Sequence, residues 1–181
     1  MRHHGHVPET TQTTDPLDIV ALDIERHVAS AGWDQPLRLF ALVPSADLAR
    51  EAPELAGTAM ADLAPGALSA VEQEGVEAWG DLESTLAGIA WPEAVSGAAV
   101  ALERIVVPPE AERDLPEDPA RAVEVLAAHP DRRDVRLVVA VVRGGQACCL
   151  LRQRDHDSDD RVAKGEQIAP GLVAALAATL D

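Results

Sequence analysis

DVRLVVAVVRGGQACCLLRQR, residues 134–154, holds two apolar, β-rich segments that meet at Gly144-Gly145. Two consecutive glycines can adopt the positive φ angles that a tight hairpin turn needs, so the stretch is expected to form two antiparallel strands. A two-residue turn at Gly144-Gly145 would set Val141 opposite Cys148, Val139 opposite Leu150 and Leu137 opposite Arg152. That hairpin places the centre of a sheet, and the rest of the chain can be read outward from it.

Upstream, His129-Pro130 should end a helix opened by Asp118-Pro119, with Val123 and Leu126 facing inward. Before that, residues 98–107 read as a strand with both faces largely apolar, as expected of a strand covered on both sides. Asp81 can cap a helix carrying Leu82, Leu86 and Ile89 on one face, stopped by Trp91-Pro92. Residues 37–43 alternate as a strand. Asp15-Pro16 opens a helix in which Leu17, Val20, Ala21, Ile24, Val28 and Ala31 recur at helical spacing, and Gly32 ends it. Ser45 can cap a short helix that fails before Pro53, and residues 53–80, interrupted by Gly57, Pro65, Gly66 and Gly75, support no assignment. Downstream of the hairpin, an acidic connector leads to a last amphipathic helix carrying Ile168, Leu172, Val173, Leu176, Ala177 and Leu180. This order predicts one α+β domain over residues 15–181, a mostly antiparallel sheet covered by helices. Residues 1–14, polar, aperiodic and rich in His, should form a disordered tail.

Composition excludes several function classes. The formal net charge is −16, with 15 acidic and 4 basic side chains in residues 1–91 against 16 and 11 in residues 92–181. Affinity for phosphate backbones comes from Lys and Arg releasing counterions, so nucleic acid is not an expected partner. One Phe, three Trp and no Tyr leave an aliphatic core and no platform for stacking bases. No apolar run approaches the length needed to span a bilayer, so no membrane partner is expected. Cys148 and Cys149 are adjacent and point to opposite faces of a strand, which suits two core thiols in a reducing, cytoplasmic compartment better than a disulfide. No motif asks for a cofactor.

The motifs that could carry chemistry are few. Asp155-His156-Asp157-Ser158-Asp159-Asp160 opens a twelve-residue stretch with carboxylates at positions 1, 3 and 5 and Glu166 at position 12, the spacing of a calcium loop. Asp155, Asp157, Asp159 and Glu166 are therefore candidate metal ligands. Against that, position 6 is Asp160 where the calcium loop has Gly, a strand precedes the stretch, and an acidic solvated connector has the same composition. Met1-Arg2-His3 could chelate Cu(II) or Ni(II) through its amine, amides and imidazole. Arg132, Arg133 and Arg136 could grip a carboxylate or phosphate, although Asp131 and Asp134 can pair with them locally. Glu103 interrupts an apolar strand and needs a partner, for which Arg38 and Arg136 are available. Glu103, Arg132, Arg133 and Arg136 are thus the candidate ligand-binding residues. There is no GxSxG elbow, phosphate-cradling Gly loop or HExxH.

Taken together, DPLDIVALDIERHVASAGWDQPLRLFALV at residues 15–43, AWPEAV at 90–95, ERIVVPP at 103–109 and HPDRRDVRLVVAVVR at 129–143 resemble an actinobacterial protein family of unknown function. The resemblance covers residues 15–181 and implies an actinobacterial source, but brings no catalytic residues. A looser similarity links the order of elements to small acidic secretion-chaperone-like folds, which leaves homodimerisation open. The leading expectation is a non-catalytic binding or adaptor protein acting on a protein partner, with an exposed apolar patch around Trp33, Trp79 or Trp91. The competing one is a small-ligand-binding protein or enzyme, in which the Arg and Glu candidates converge on a concave pocket. A calcium-responsive protein is the third.

Overall fold

A computed structural model describes residues 15–51, 66–74, 82–165 and 168–181. Asp15 accepts a hydrogen bond from the backbone N–H of Leu17 at 2.9 Å and so caps α1, Pro16–Ser30, as its sequence implies. Then follow β1 (Arg38–Pro44), α2 (Ser45–Glu51), β2 (Leu68–Gln73), α3 (Leu82–Ala87), β3 (Gly97–Val106), α4 (Pro109–Arg113), α5 (Pro119–Ala128), β4 (Arg133–Val142), β5 (Ala147–Gln153), β6 (Ala163–Lys164) and α6 (Pro170–Ala178). Short 3₁₀ turns at Arg154–His156 and Asp159–Arg161 join β5 to β6.

The six strands form one sheet in the order β2-β1-β3-β4-β5-β6, antiparallel at every pairing. The α+β class, with an antiparallel sheet under helices, is as the sequence implies. Alternation on the strands sorts the core into two layers. Leu17, Val20, Ala21, Ile24 and Val28 of α1 pack on Phe40, Leu42, Ala99, Ala101, Val138, Ala140, Cys148 and Leu150. The opposite face, with Leu39, Val100, Leu137, Val139, Val141 and Cys149, packs on Leu86 of α3 and on Leu172 and Leu176 of α6. Central strands that bury both faces explain the near-continuous apolar runs of β3 and β4.

Two expectations need correcting. The hairpin is closed by three residues, Arg143-Gly144-Gly145, with Val142 donating to the carbonyl of Gln146 at 3.0 Å and both glycines at positive φ. Pairing therefore runs Val141↔Ala147, Val139↔Cys149, Leu137↔Leu151 and Arg136↔Arg152. It differs by one residue from the two-residue-turn register, and because side chains alternate, the slip moves all of β5 to the other face relative to β4. In α5, Val123 points to solvent at 60% exposure, and the helix buries no residue. β2 lies in a stretch where the sequence supported no assignment. The cap at Asp81 and the tail at residues 1–14 fall outside the described residues.

Gly97 pairs with Val142 where β3 and β4 approach closely, and a Cβ there would lie 3.1 Å from the Val142 Cα and far inside contact distance of the Val141 carbonyl oxygen. Gly97→Ala should therefore destabilise the fold by about 3 kcal/mol, the upper end for overpacking. Urea denaturation would show it as a lowered midpoint with an unchanged slope.

Candidate functional site

The site grows out of strand alternation on the α1 face. Ala101, Val138 and Leu150 form one apolar row across β3, β4 and β5, and one pleat further the same face presents Glu103, Arg136 and Arg152 in register. Asp134 follows on β4 opposite Ile105, and Arg154 lies just past the end of β5. Gly32-Trp33-Asp34-Gln35, the connection after α1, covers these charged rows.

Arg152 is buried, its side chain 3% exposed, and so is Glu25 of α1 at 1%. The guanidinium meets the Glu25 carboxylate through Nε and Nη2, the latter at 2.8 Å from Oε2, and donates to Asp157 at 2.9 Å and Asp159 at 2.6 Å. These bonds, first the one to Glu25, raise the Arg152 pKa above the usual arginine value. Arg136, next to it and 1% exposed, is less well served. Its Nη2 donates to the Gly32 carbonyl and stands 3.8 Å from Glu103 Oε2, while Nε and Nη1 have no hydrogen-bond partner. Burial pulls its pKa down, opposed by Glu103.

Trp33 sits over this pair. The Arg136 guanidinium carbon is 4.4 Å from its ring centroid and that of Arg154 5.6 Å, and the indole N–H donates to Asp157 at 3.0 Å. Glu103 accepts from the backbone N–H groups of Asp34 and Gln35 at 2.9 and 2.8 Å, and Arg154 grips Asp34 through two bonds of 3.0 and 3.1 Å. Asp34 is held at φ 64°, where Asp is tolerated better than most side chains.

Beside the covered rows the surface is concave. Asp34, Glu103, Arg104, Ile105, Arg132, Asp134 and Arg154 line a cleft of about 320 Å³. Arg132 also borders a second, of about 590 Å³, with Pro108, Pro130, Asp131, Arg133, Asp155 and His156. Glu103 and Arg132 thus share one cleft, Arg132 and Arg133 share the other, and Arg136 lies buried beside them. Arg136 is the partner of Glu103, whereas Arg38 pairs with Glu72, donating to it at 2.8 Å. Arg132 also donates to the Ala127 carbonyl at 2.6 Å, and Arg133 to Gln153 at 3.1 Å.

The calcium-loop candidates are dispersed. Asp157 and Asp159 turn to Arg152, Asp155 borders the larger cleft, and Glu166 lies outside the described residues. Among the described residues no group of three or more His, Cys, Asp or Glu could hold a metal ion. Both thiols are buried, and burial pushes Cys148 up to about 12, so it remains a thiol at neutral pH. No helix among the described residues is long and apolar enough to cross a membrane. Trp91 packs against the α3/α6 layer and donates to Thr179 at 2.9 Å, and Trp79 lies outside the described residues.

The sequence does not single out Glu25, Asp34, Arg152 or Arg154 as site residues, and it offers Trp33 only as part of an exposed apolar patch. Glu25 had a signal: it lies four residues after Ala21 and three before Val28, on the apolar stripe of α1, where an unpaired charge would be costly.

A six-stranded antiparallel sheet between helical layers, with arginines and carboxylates gathered at one end of it, defines an α+β protein with a charged cleft. The chain belongs to the PPA1309-like protein family, whose model matches residues 17–181, in keeping with the resemblance in its sequence. No curated protein and no solved structure matches it.

Removing one partner of a buried ion pair leaves the other uncompensated. Arg152→Met, which takes both hydrogen bonds from the buried Glu25 carboxylate, should cost about 3–5 kcal/mol in chemical denaturation, and adding Glu25→Leu should recover much of it. The Trp33 indole, then Arg152, hold Asp157 below the ordinary aspartate value of 3.8. A depressed native pKa stabilises fully above 3.8 and is lost as pH falls through the lower native value. Acid titration should therefore change Trp33 emission with a midpoint below 3.8, and Asp157→Asn should remove that transition.

Proposed function

We propose that the protein is a non-catalytic binding protein for a small, multiply charged ligand seated in the Glu103/Arg132 cleft. The carrying observation is convergence. In a chain of net charge −16, six of the fourteen arginines, Arg104, Arg132, Arg133, Arg136, Arg152 and Arg154, gather at one end of the sheet around two adjoining clefts. Convergent polar groups in a concave site fix a ligand's orientation, and here Glu103, Arg104 and Asp134 stand on β3 and β4. The buried, protonated thiols offer no nucleophile; two adjacent free cysteines suit a reducing compartment and the sequence resemblance suits an actinobacterial source, so we place the protein in the cytoplasm of an actinobacterium.

A second reading, an adaptor that docks a protein, draws on α5, where Val123 and Val125 are 60% and 44% exposed. Amide NMR with a metabolite panel separates the two. A ligand should shift residues 103–105, 131–134 and 154–156, and Arg132→Ala should weaken binding by about tenfold, as loss of a charge-assisted hydrogen bond does. If no compound shifts those residues while cell extract shifts α5, the adaptor reading replaces ours.

A further inference from the structure

The ligand's charge type can be read from the unpaired atoms at the cleft. Its wall sets three carboxylates, Asp34, Glu103 and Asp134, against three guanidiniums, Arg104, Arg132 and Arg154, a balance that suits neither a simple anion nor a simple cation. Behind it, hydrogen bonding is incomplete in both senses. Asp134 Oδ1 is a buried acceptor without a hydrogen bond, its carboxylate standing 3.9 Å from Arg132 Nε and 3.7 Å from Arg154 Nη1, and Arg136 Nε and Nη1 are buried donors without one. Such groups cost stability and call for an explanation, because nearly all buried polar atoms are paired.

Asp134 and Arg136 are two residues apart on β4 and share a face, so their Cα atoms are about 7 Å apart. A molecule carrying an ammonium and a carboxylate on one carbon supplies both the donor that Asp134 Oδ1 lacks and the acceptor that Arg136 Nε and Nη1 lack. Resting on the ligand-binding reading above, we propose that the cleft takes a zwitterion of the α-amino acid class, its ammonium on Asp134 and its carboxylate on Arg136. Arg136 is covered by Gly32 and Trp33, so entry displaces the Gly32 carbonyl from the guanidinium and shifts the Trp33 ring. That movement gives the site an optical signal.

The test is a thermal-melt and Trp-emission titration of the full chain with the twenty α-amino acids, with ethylamine as ammonium alone and propionate as carboxylate alone, at matched ionic strength. At least one amino acid should raise the melting temperature by about 3 °C at millimolar concentration and change Trp33 emission, with neither half-molecule matching it. Arg136→Met removes a desolvated cation with unpaired nitrogens while Glu103 keeps its two backbone donors. It should melt no lower than wild type and lose the response. Asp134→Asn, at a side chain 26% exposed, should weaken the response at least tenfold and carries the test if Arg136→Met does not fold. A response to ethylamine or propionate equal to that of every amino acid, and abolished by Arg132→Ala, sinks the zwitterion while the cleft stands as a binding site. An amino-acid response that survives both Arg136→Met and Asp134→Asn makes the two residues structural and also overturns the proposal. Silence of the wild type to amino acids overturns it, and the NMR panel above then decides whether the cleft binds another ligand.

Discussion

The buried pair of Arg152 and Glu25 is the constraint on which one half of the molecule is arranged. A guanidinium enclosed between a helix and a sheet must meet acceptors on nearly every N–H, and Arg152 finds them on three carboxylates from two segments: Glu25 of α1, and Asp157 and Asp159 of the connector. The pair fixes the rotation of α1 about its own axis, because only one orientation brings Glu25 to the sheet while keeping Leu17, Val20, Ile24 and Val28 on it. It also turns an acidic connector, which would otherwise be free in solvent, into a wall of the site. The same aspartates that spell a calcium loop on paper are drawn to a cation the chain already possesses.

Arg136 beside Arg152 is the cost of that arrangement. Two guanidiniums adjacent on neighbouring strands repel each other, and like charges directly opposite destabilise a sheet. Relief comes from Glu103 across the β3–β4 pair and from the face of Trp33. The loop at Gly32–Gln35 is in turn held by the charges it covers, with Glu103 on its backbone N–H groups, Arg154 on Asp34 and Asp157 on the Trp33 indole. Loop and charged rows therefore stabilise each other, and loosening either exposes both.

Much of the fold was legible because it rests on local patterns: the Asp15 and Asp118 caps, the apolar strands β3 and β4, and the glycine pair between β4 and β5. The site was legible only in part, and one residue explains most of the difference. A two-residue turn sets Arg152 against Leu137 and on the face away from Arg136, so the two arginines never meet. The three-residue loop sets them side by side. Glu103, Arg132, Arg133 and Arg136 could be named because each is conspicuous in its own segment. Trp33 could be named only as an apolar surface residue, since its partners Asp157, Arg136 and Arg154 all lie more than 100 positions away in sequence. Val123 failed for the opposite reason: a convincing apolar residue on a helix none of whose residues is buried.

Element lengths explain why the charges sit where they do. α1 has 15 residues and spans about 22 Å at the α-helical rise, whereas β4 has 10 and spans about 33 Å in extended form. A single helix laid along that face leaves roughly a third of the strand uncovered, and an uncovered row of Val or Leu would be an exposed apolar patch. Glu103, Arg136 and Arg152, too polar for a dry core and too enclosed for full hydration, occupy the first row at that end, with Asp134 and the more exposed Arg154 beyond it. The loop that follows α1 then folds back over the first row and leaves the second open as a cleft. The binding surface is thus a consequence of a helix shorter than the sheet it covers. Its chemistry follows from the need to end an aliphatic core in groups that pair with one another.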